Sequence, residues 1–269
     1  MTTILSKSRI EYLQYGVNWR KGCSHGCRYC YMAGLATRFD HLMPECGDWG
    51  ESELRVEDPL AALVSELQSR RATIEGPLMI STSHDPAMTD EVADEMAEVV
   101  AGLAGFNLLD RTLLLTKAPK RALDALRRSG SSEGLRFGTS LTSLGEWLTN
   151  HYEPGAEMPF VRSAMIKIAD AQGYHTWLSL EPPLPDVYLS RLIESVLDLV
   201  GGMTRRPWIV LGKLNARGST DGDLARWAAS DHWAADRDRA VELLEGAGFE
   251  ESLAPIDGGY WIKSELRQC

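Results

Sequence analysis

Short apolar runs that end in polar clusters alternate along the chain with stretches of helical period. The clearest early run, Pro77 to Thr82, reads as a strand and passes into "SHDP". A helix follows, capped near Thr89 or Asp90. Its Val92, Met96, Val99, Val100 and Leu103 keep helical spacing, and Gly105 can stop it. "RTLLLTKAP" reads as the next strand and "PKRALDALRRSG" as its helix, with Gly130 as the C-terminal stop. "LRFGTSLTS", "HTWLSLEPPLP", "PWIVLGKLNARG" and "GYWIKSEL" read as further strands. "PFVRSAMIKIADAQG", "LSRLIESVLDLVGG" and "RDRAVELLEGAG" read as helices among them.

The strands are near-continuous apolar runs, as expected where both faces of a parallel sheet are covered. Strand and helix alternate five or six times, which predicts an α/β fold, either an open doubly wound sheet or a barrel. No G-x-G-x-x-G follows the first strand, so a dinucleotide fold has no support. Polar residues recur just after the strands: Ser81 to Asp85, Thr116 and Lys117, Thr139 to Ser143, Glu181, and Lys213 to Asn215. In βα barrels the strand C-termini carry the chemistry. Loop polarity, turns and helix caps are the plainer explanation for any one of these clusters.

The 269 residues, 44% of them hydrophobic, suffice for one large domain or two small ones. No apolar run approaches the roughly 18 residues that span a bilayer, and "MTTILSKSRIEYLQYG" lacks a signal peptide's apolar stretch. A soluble cytoplasmic protein is expected. The formal net charge of −10 argues against gross nonspecific binding to polyanions. Local basic clusters do occur, at Lys117, Lys120, Arg121, Arg127 and Arg128, and at Arg205 and Arg206.

Three of the five cysteines fall in "GCSHGCRYCY", at Cys23, Cys27 and Cys30, spaced C-x3-C-x2-C. Thiolates this close suit zinc or an iron–sulfur centre. A structural zinc site wants four ligands, usually as two distant pairs, and no second pair exists. His25 between the cysteines, or Cys46 sixteen residues on, could be the fourth ligand. A four-iron cluster held by three cysteines instead leaves one iron open to a substrate or cofactor.

"CSHGCRYCY", with Tyr29 before the third cysteine, resembles the radical S-adenosylmethionine (SAM) superfamily. The resemblance implies a partial (βα)6 TIM-type barrel over residues 1–220, with a C-terminal helix-and-strand extension over 221–269. It implies a [4Fe–4S] cluster on Cys23, Cys27 and Cys30 and SAM on the open iron. SAM would be reductively cleaved to a 5′-deoxyadenosyl radical that takes hydrogen from a substrate. Tyr29 would pack by the adenine. Ser81, Thr82 and Ser83 would receive SAM's amino group. Ser140 would meet its carboxylate or ribose, and Lys117 could also approach the carboxylate. Glu181 and Asn215 would face the adenosine or the substrate.

"ISTSHDP", "LLTKAP", "LSLEPPLP" and the segment Glu153-Pro154-Gly155-Ala156 followed by Arg162 look like the spore-photoproduct-lyase-like branch. One departure stands out. Where that branch's lyases carry a hydrogen-donor cysteine beside the fourth-strand serine, this chain has Thr139 and Leu141 around Ser140. Thymine-dimer repair is therefore not expected. Cys46 could be a donor supplied from elsewhere, or an inert thiol.

The chain is also similar in compactness to radical SAM isomerases of bacteriophage thymine hypermodification, which would place it in the host cytoplasm. A thymine base in DNA is then the first substrate hypothesis. The eight tryptophans and eight tyrosines could stack on bases. A small metabolite or peptide is the second, and a zinc-stabilised module without chemistry the third. The expected partners are an external one-electron donor of flavodoxin or ferredoxin type and DNA. No membrane partner is expected, and the chain is expected to be a monomer.

Overall fold

The computed structural model describes residues 3–38, 49, 54–70, 73–130, 132–215 and 221–269. Two short antiparallel strands, β1 (Leu5–Lys7) and β2 (Tyr15–Val17), open the chain. A small pair, β3 (Arg20–Lys21) and β4 (Leu54–Arg55), brackets α1 (Tyr31–Arg38). After α2 (Pro59–Arg70) come β5 (Leu78–Ile80), α3 (Asp90–Gly105), β6 (Thr112–Thr116) and α4 (Pro119–Ser129). Then follow β7 (Arg136–Ser140), α5 (Glu146–Tyr152), α6 (Pro159–Ala171), β8 (His175–Leu180), α7 (Leu189–Val200) and β9 (Trp208–Leu211). The last segment adds α8 (Gly222–Ala229), α9 (Trp233–Gly246), β10 (Glu250–Glu251), β11 (Gly259–Ile262) and α10 (Ser264–Arg267).

Nine strands form one open sheet in the order β1-β2-β5-β6-β7-β8-β9-β11-β10. Every pairing after β1–β2 is parallel. The six strands β2, β5, β6, β7, β8 and β9 make the expected partial barrel. Residues 221–269 contribute to the same sheet, because β11 runs parallel beside β9 and pairs Tyr260 with Ile209.

Local chemistry explains the helix ends. Thr89 caps α3 by accepting from the Val92 N–H at 3.2 Å, and Asp90 and Glu91 complement the positive end of the helix dipole. Pro119 starts α4, and Gly130 ends it in the left-handed region (φ 71°).

Alternation along the strands sorts side chains onto two faces. Leu78, Ile80, Leu114, Leu178, Leu180, Ile209 and Leu211 join the main core with α2, α3, α4 and α7. Met79, Leu113, Trp177, Trp208 and Val210 form a second cluster with Tyr12 and Leu13. Trp177 lies flat against Gly138, where any Cβ would collide with the indole, and its Nε1 donates to the Leu114 carbonyl at 3.0 Å.

The loop between β1 and β2 packs Tyr12 and Leu13 against the second cluster. Tyr12 meets Trp208 edge-on, with centroids 5.1 Å apart. Glu11 accepts from Trp261 Nε1 (3.1 Å) and the Ser264 N–H (2.8 Å). The two ends of the sheet are thus joined through a carboxylate on a loop. No helix among the described residues is long and apolar enough to cross a membrane.

Candidate active site

At the C-terminal ends of the parallel strands lies a cavity of about 560 Å³. Cys23, Cys27 and Cys30 line one side of it, as half-buried free thiols on the loop after β3. The strand leading into that loop is anchored by Arg20, whose Nε and Nη2 each lie 2.7 Å from the Glu95 carboxylate on α3. Burial pushes the Cys23 thiol up to about 11 and the Cys27 thiol up to about 12. Both are therefore neutral in the metal-free protein at pH 7. Metal binding would displace their protons.

The cysteine loop rests on residues 152–155. The Arg28 N–H donates to the Tyr152 carbonyl (3.0 Å), and the Gly155 N–H donates to the His25 carbonyl (2.9 Å). A Cβ on Gly155 would lie 2.7 Å from His25 Cα and 2.7 Å from the Ser24 carbonyl oxygen, so this close approach requires glycine.

Glu153 is fully buried beneath the loop. Its Oε1 accepts from the Tyr29 hydroxyl and from Thr142 Oγ1 (3.0 Å), and its Oε2 accepts from Arg162 Nη2 (2.6 Å). Burial alone would raise the Glu153 pKa. Lys117, Arg162 and the Tyr29 and Arg162 hydrogen bonds outweigh that and hold the carboxyl below its ordinary range. Arg162 is equally buried. It also donates to the Glu157 carbonyl (2.6 Å) and the Ser140 carbonyl (3.1 Å), which ties α6 to the end of β7.

Lys117 faces the cavity, with Nζ 4.0 Å from Glu153 Oε1 and 5.6 Å from the centre of the Tyr29 ring. Burial disfavours its charge, but Cys27 and Glu153 more than compensate, so its pKa is raised. Its own N–H donates to Asp85 Oδ2 (2.7 Å), while Asp85 Oδ1 accepts from Thr116 Oγ1 (2.6 Å). His25 is 1% exposed, and neither ring nitrogen has a hydrogen-bond partner. Its Nδ1 is 3.7 Å from Asp85 Oδ2, and burial lowers its pKa.

Ser81, Thr82 and Ser83 form a turn after β5 around the Asn18 side chain. Asn18 Oδ1 accepts from the N–H groups of Thr82 (2.7 Å) and Ser83 (3.1 Å) and from Ser83 Oγ (3.0 Å). Ser81 takes a left-handed conformation (φ 55°), held by its hydroxyl, which donates to the His84 carbonyl at 2.7 Å. These hydroxyls are engaged within the turn, though a hydroxyl keeps acceptor capacity for another group.

Across the cavity, Glu181 follows β8 and accepts from Lys263 Nζ at 2.6 Å. Burial disfavours the Lys263 ammonium, but Glu181 reverses that and raises its pKa. Gly212 leaves room for Glu181, since a Cβ there would lie 2.6 Å from the carboxyl carbon.

Among the described residues, no three His, Cys, Asp or Glu side chains converge as ligands of one metal ion. A single zinc ion needs donors about 2.0–2.3 Å from one point. A four-iron cluster takes its thiolates on separate irons, so its ligands stand apart. Three free thiols on one loop, all lining the cavity, supply the donor type and number that such a cluster takes while leaving one iron open.

No family model matches the sequence. The uncharacterized proteins Mb2609c of Mycobacterium bovis and Rv2578c of Mycobacterium tuberculosis are 25% identical over 224 residues. The match covers 81% of this chain and 64% of each relative, so the chain spans less than two thirds of their length. A solved spore photoproduct lyase with a dinucleoside spore photoproduct superposes with a TM-score of 0.68 at 16% identity, over 96% of this chain and 78% of that one. The chain has the fold of spore photoproduct lyase. Streptococcus suis SuiB bound to its precursor peptide SuiA superposes less closely, with a TM-score of 0.60 at 10% identity, over 90% of this chain and 47% of that one.

Within the spore photoproduct lyase fold, all the described candidate residues line the one cavity: Cys23, Cys27, Tyr29, Cys30, Ser81, Thr82, Ser83, Lys117, Ser140, Glu181 and Asn215. Cys46 lies outside the described residues. Lys263 and Glu11 escaped the sequence reading, because nothing local marks a lysine after a last short strand as part of a cavity.

The tryptophans and the basic clusters fall in several different environments. Of the eight tryptophans offered for base stacking, Trp19, Trp177, Trp208 and Trp233 are fully buried, whereas Trp49 lines the cavity and Trp147 is exposed. In the basic clusters Lys117 lines the cavity, while Lys120 and Arg127 pair with Asp124, Arg121 with Asp90, and Arg128 with Asp94. Arg127 and Arg128 close α4, and Arg205 and Arg206 precede β9, so both groups sit at the opposite end of the sheet from the cavity.

Proposed function

We propose that this protein is a radical SAM enzyme. The reading is carried by one observation: the three thiols of the C-x3-C-x2-C loop open onto a cavity at the strand C-termini of a spore photoproduct lyase fold. Cys23, Cys27 and Cys30 would hold a [4Fe–4S] cluster. When bound, the cluster and SAM supply a 5′-deoxyadenosyl radical able to remove a hydrogen atom from a substrate.

The chain's own residues have distinct tasks. Lys117, kept charged by Glu153, offers an ammonium for a carboxylate. The Tyr29 ring lies beside it, and its hydroxyl fixes the loop that carries Cys27 and Cys30. Ser140, Glu181 and Asn215 present hydrogen-bonding groups from successive strand ends. Tyr31, whose hydroxyl donates to the Thr82 carbonyl at 2.7 Å, also lines the cavity beside the cysteine loop.

The favoured substrate is a thymine base in DNA, processed by isomerisation or another base modification. The fold likeness is greater to a lyase with a bound dinucleoside than to a peptide-bound protein. Lys7, Arg9 and Lys213 at the cavity supply cations for phosphates. A small metabolite or peptide is the alternative.

The test is anaerobic iron–sulfide reconstitution followed by assay for 5′-deoxyadenosine, with and without DNA. Stimulation by DNA, and DNA binding that weakens steeply as salt rises, supports the nucleobase reading. Cleavage of SAM that ignores DNA excludes it while leaving radical SAM chemistry intact.

A further inference from the structure

The segment Glu153-Pro154-Gly155-Ala156, with Arg162, marks the chain's branch resemblance, and its carboxylate touches both the cysteine loop and Lys117. The site geometry suggests a task for it. Glu153 is 0% exposed, and a buried carboxylate is costly unless it is fully paired. Its partners come from four separate parts of the chain: Tyr29 on the cysteine loop, Lys117 after β6, Thr142 after β7, and Arg162 on α6. Tyr29 is 124 residues away in sequence.

We infer that Glu153 is a positioning residue that sets the cysteine loop and the Lys117 ammonium relative to one another. This inference rests on the radical SAM reading, in which that loop carries the cluster and Lys117 meets the carboxylate of SAM. One carboxylate oxygen, Oε1, accepts from Tyr29 and faces Lys117, so a shift of either group moves the other. Lys117 and Arg162 keep Glu153 ionised, and Arg162 fixes its orientation through Oε2. Arg162 also binds the Ser140 carbonyl, so the end of β7 is held by the same pair. Below the loop, the two backbone hydrogen bonds from Arg28 and Gly155 complete the bracket. A carboxylate that served packing alone would not need to reach a cavity-facing cation and the loop together.

The experiment compares the wild-type chain with Glu153→Gln and Tyr29→Phe. Hydrogen exchange of the cysteine-loop amides is measured on the metal-free proteins. After anaerobic reconstitution, iron content, the electron paramagnetic resonance spectrum of the reduced cluster with and without SAM, and the Kd for SAM are measured.

Glu153→Gln is expected to take up iron and sulfide but to bind SAM about tenfold or more weakly, since hydrogen bonds to charged groups are strong. It should also show a smaller SAM-induced spectral change and faster loop exchange. Tyr29→Phe, which leaves the Glu153–Arg162 pair intact, should speed loop exchange and alter the spectrum with less loss of SAM affinity. Wild-type SAM affinity and spectrum in both variants would overturn the inference. If Glu153→Gln fails to fold, Tyr29→Phe decides alone: a wild-type spectrum and wild-type loop exchange then overturn it. A wild-type chain that takes up no cluster would overturn the radical SAM reading and the inference with it. A loaded wild type with indifferent variants would sink the inference alone.

Discussion

Lys263 Nζ lies 2.6 Å from Glu181 Oε1, although 82 residues separate them. The contact exists because β11 enters the sheet beside β9 and delivers Lys263 to the cavity. The pair is only partly buried, with side chains 15% and 26% exposed, so its worth to stability is small, about 1 kcal/mol or less. Its placement matters more. Lys263→Met and Glu181→Ala are each expected to lower substrate-dependent turnover about tenfold or more, while the melting temperature moves by only a few degrees. Steady-state kinetics and a thermal melt check this. A large drop in melting temperature with turnover preserved would make the pair structural.

Gly155→Ala puts a methyl group into the backbone of the cysteine loop at Ser24 and His25. Overpacking of this kind costs about 1–3 kcal/mol. The loop is the softer partner and should yield, so iron content after reconstitution should fall below that of the wild type. Gly145→Ala is the control, because nothing lies within 3.4 Å of a Cβ there. Iron analysis of the two variants side by side decides the matter. Equal loading would show that the loop tolerates displacement.

His84 supplies a pH prediction. Burial lowers its pKa from the ordinary 6.5 to about 3. The folded state therefore binds this proton less readily than the unfolded state does. Stability from this group is complete above pH 6.5 and is lost as pH falls toward 3, by about 1.4 kcal/mol per pH unit within that window. His84→Asn should flatten the acid limb of a denaturant-midpoint profile. Glu153 and Asp85, both held low, add slopes of the same sign at lower pH. An unchanged acid limb in His84→Asn would contradict the assignment.

The repeating strands were legible because each is buried on both faces and so reads as an apolar run, as in "TLLLT" of β6 and "WIVL" of β9. The three cysteines and the strand-end polar residues were legible because motif spacing and position are local properties. The β1–β2 hairpin was not: its strands are three residues each, too short to show alternation. Tyr12 and Glu11 take their meaning from Trp208, Trp261 and Ser264, which lie far along the chain. The same holds for Glu153, whose carboxylate finds Tyr29 only after four strands have paired. Several tryptophans are core for a physical reason: a barrel interior needs large side chains to fill it, and Trp177 and Trp208 do so here.

The most direct test of the account is anaerobic reconstitution of the wild type and of Cys23→Ala, Cys27→Ala and Cys30→Ala, followed by addition of SAM and dithionite. The wild type should become brown, hold about four irons per chain and release 5′-deoxyadenosine, and each alanine variant should lose the cluster and the SAM cleavage together. A colourless wild type containing zinc, or any single alanine variant that still cleaves SAM, would contradict it.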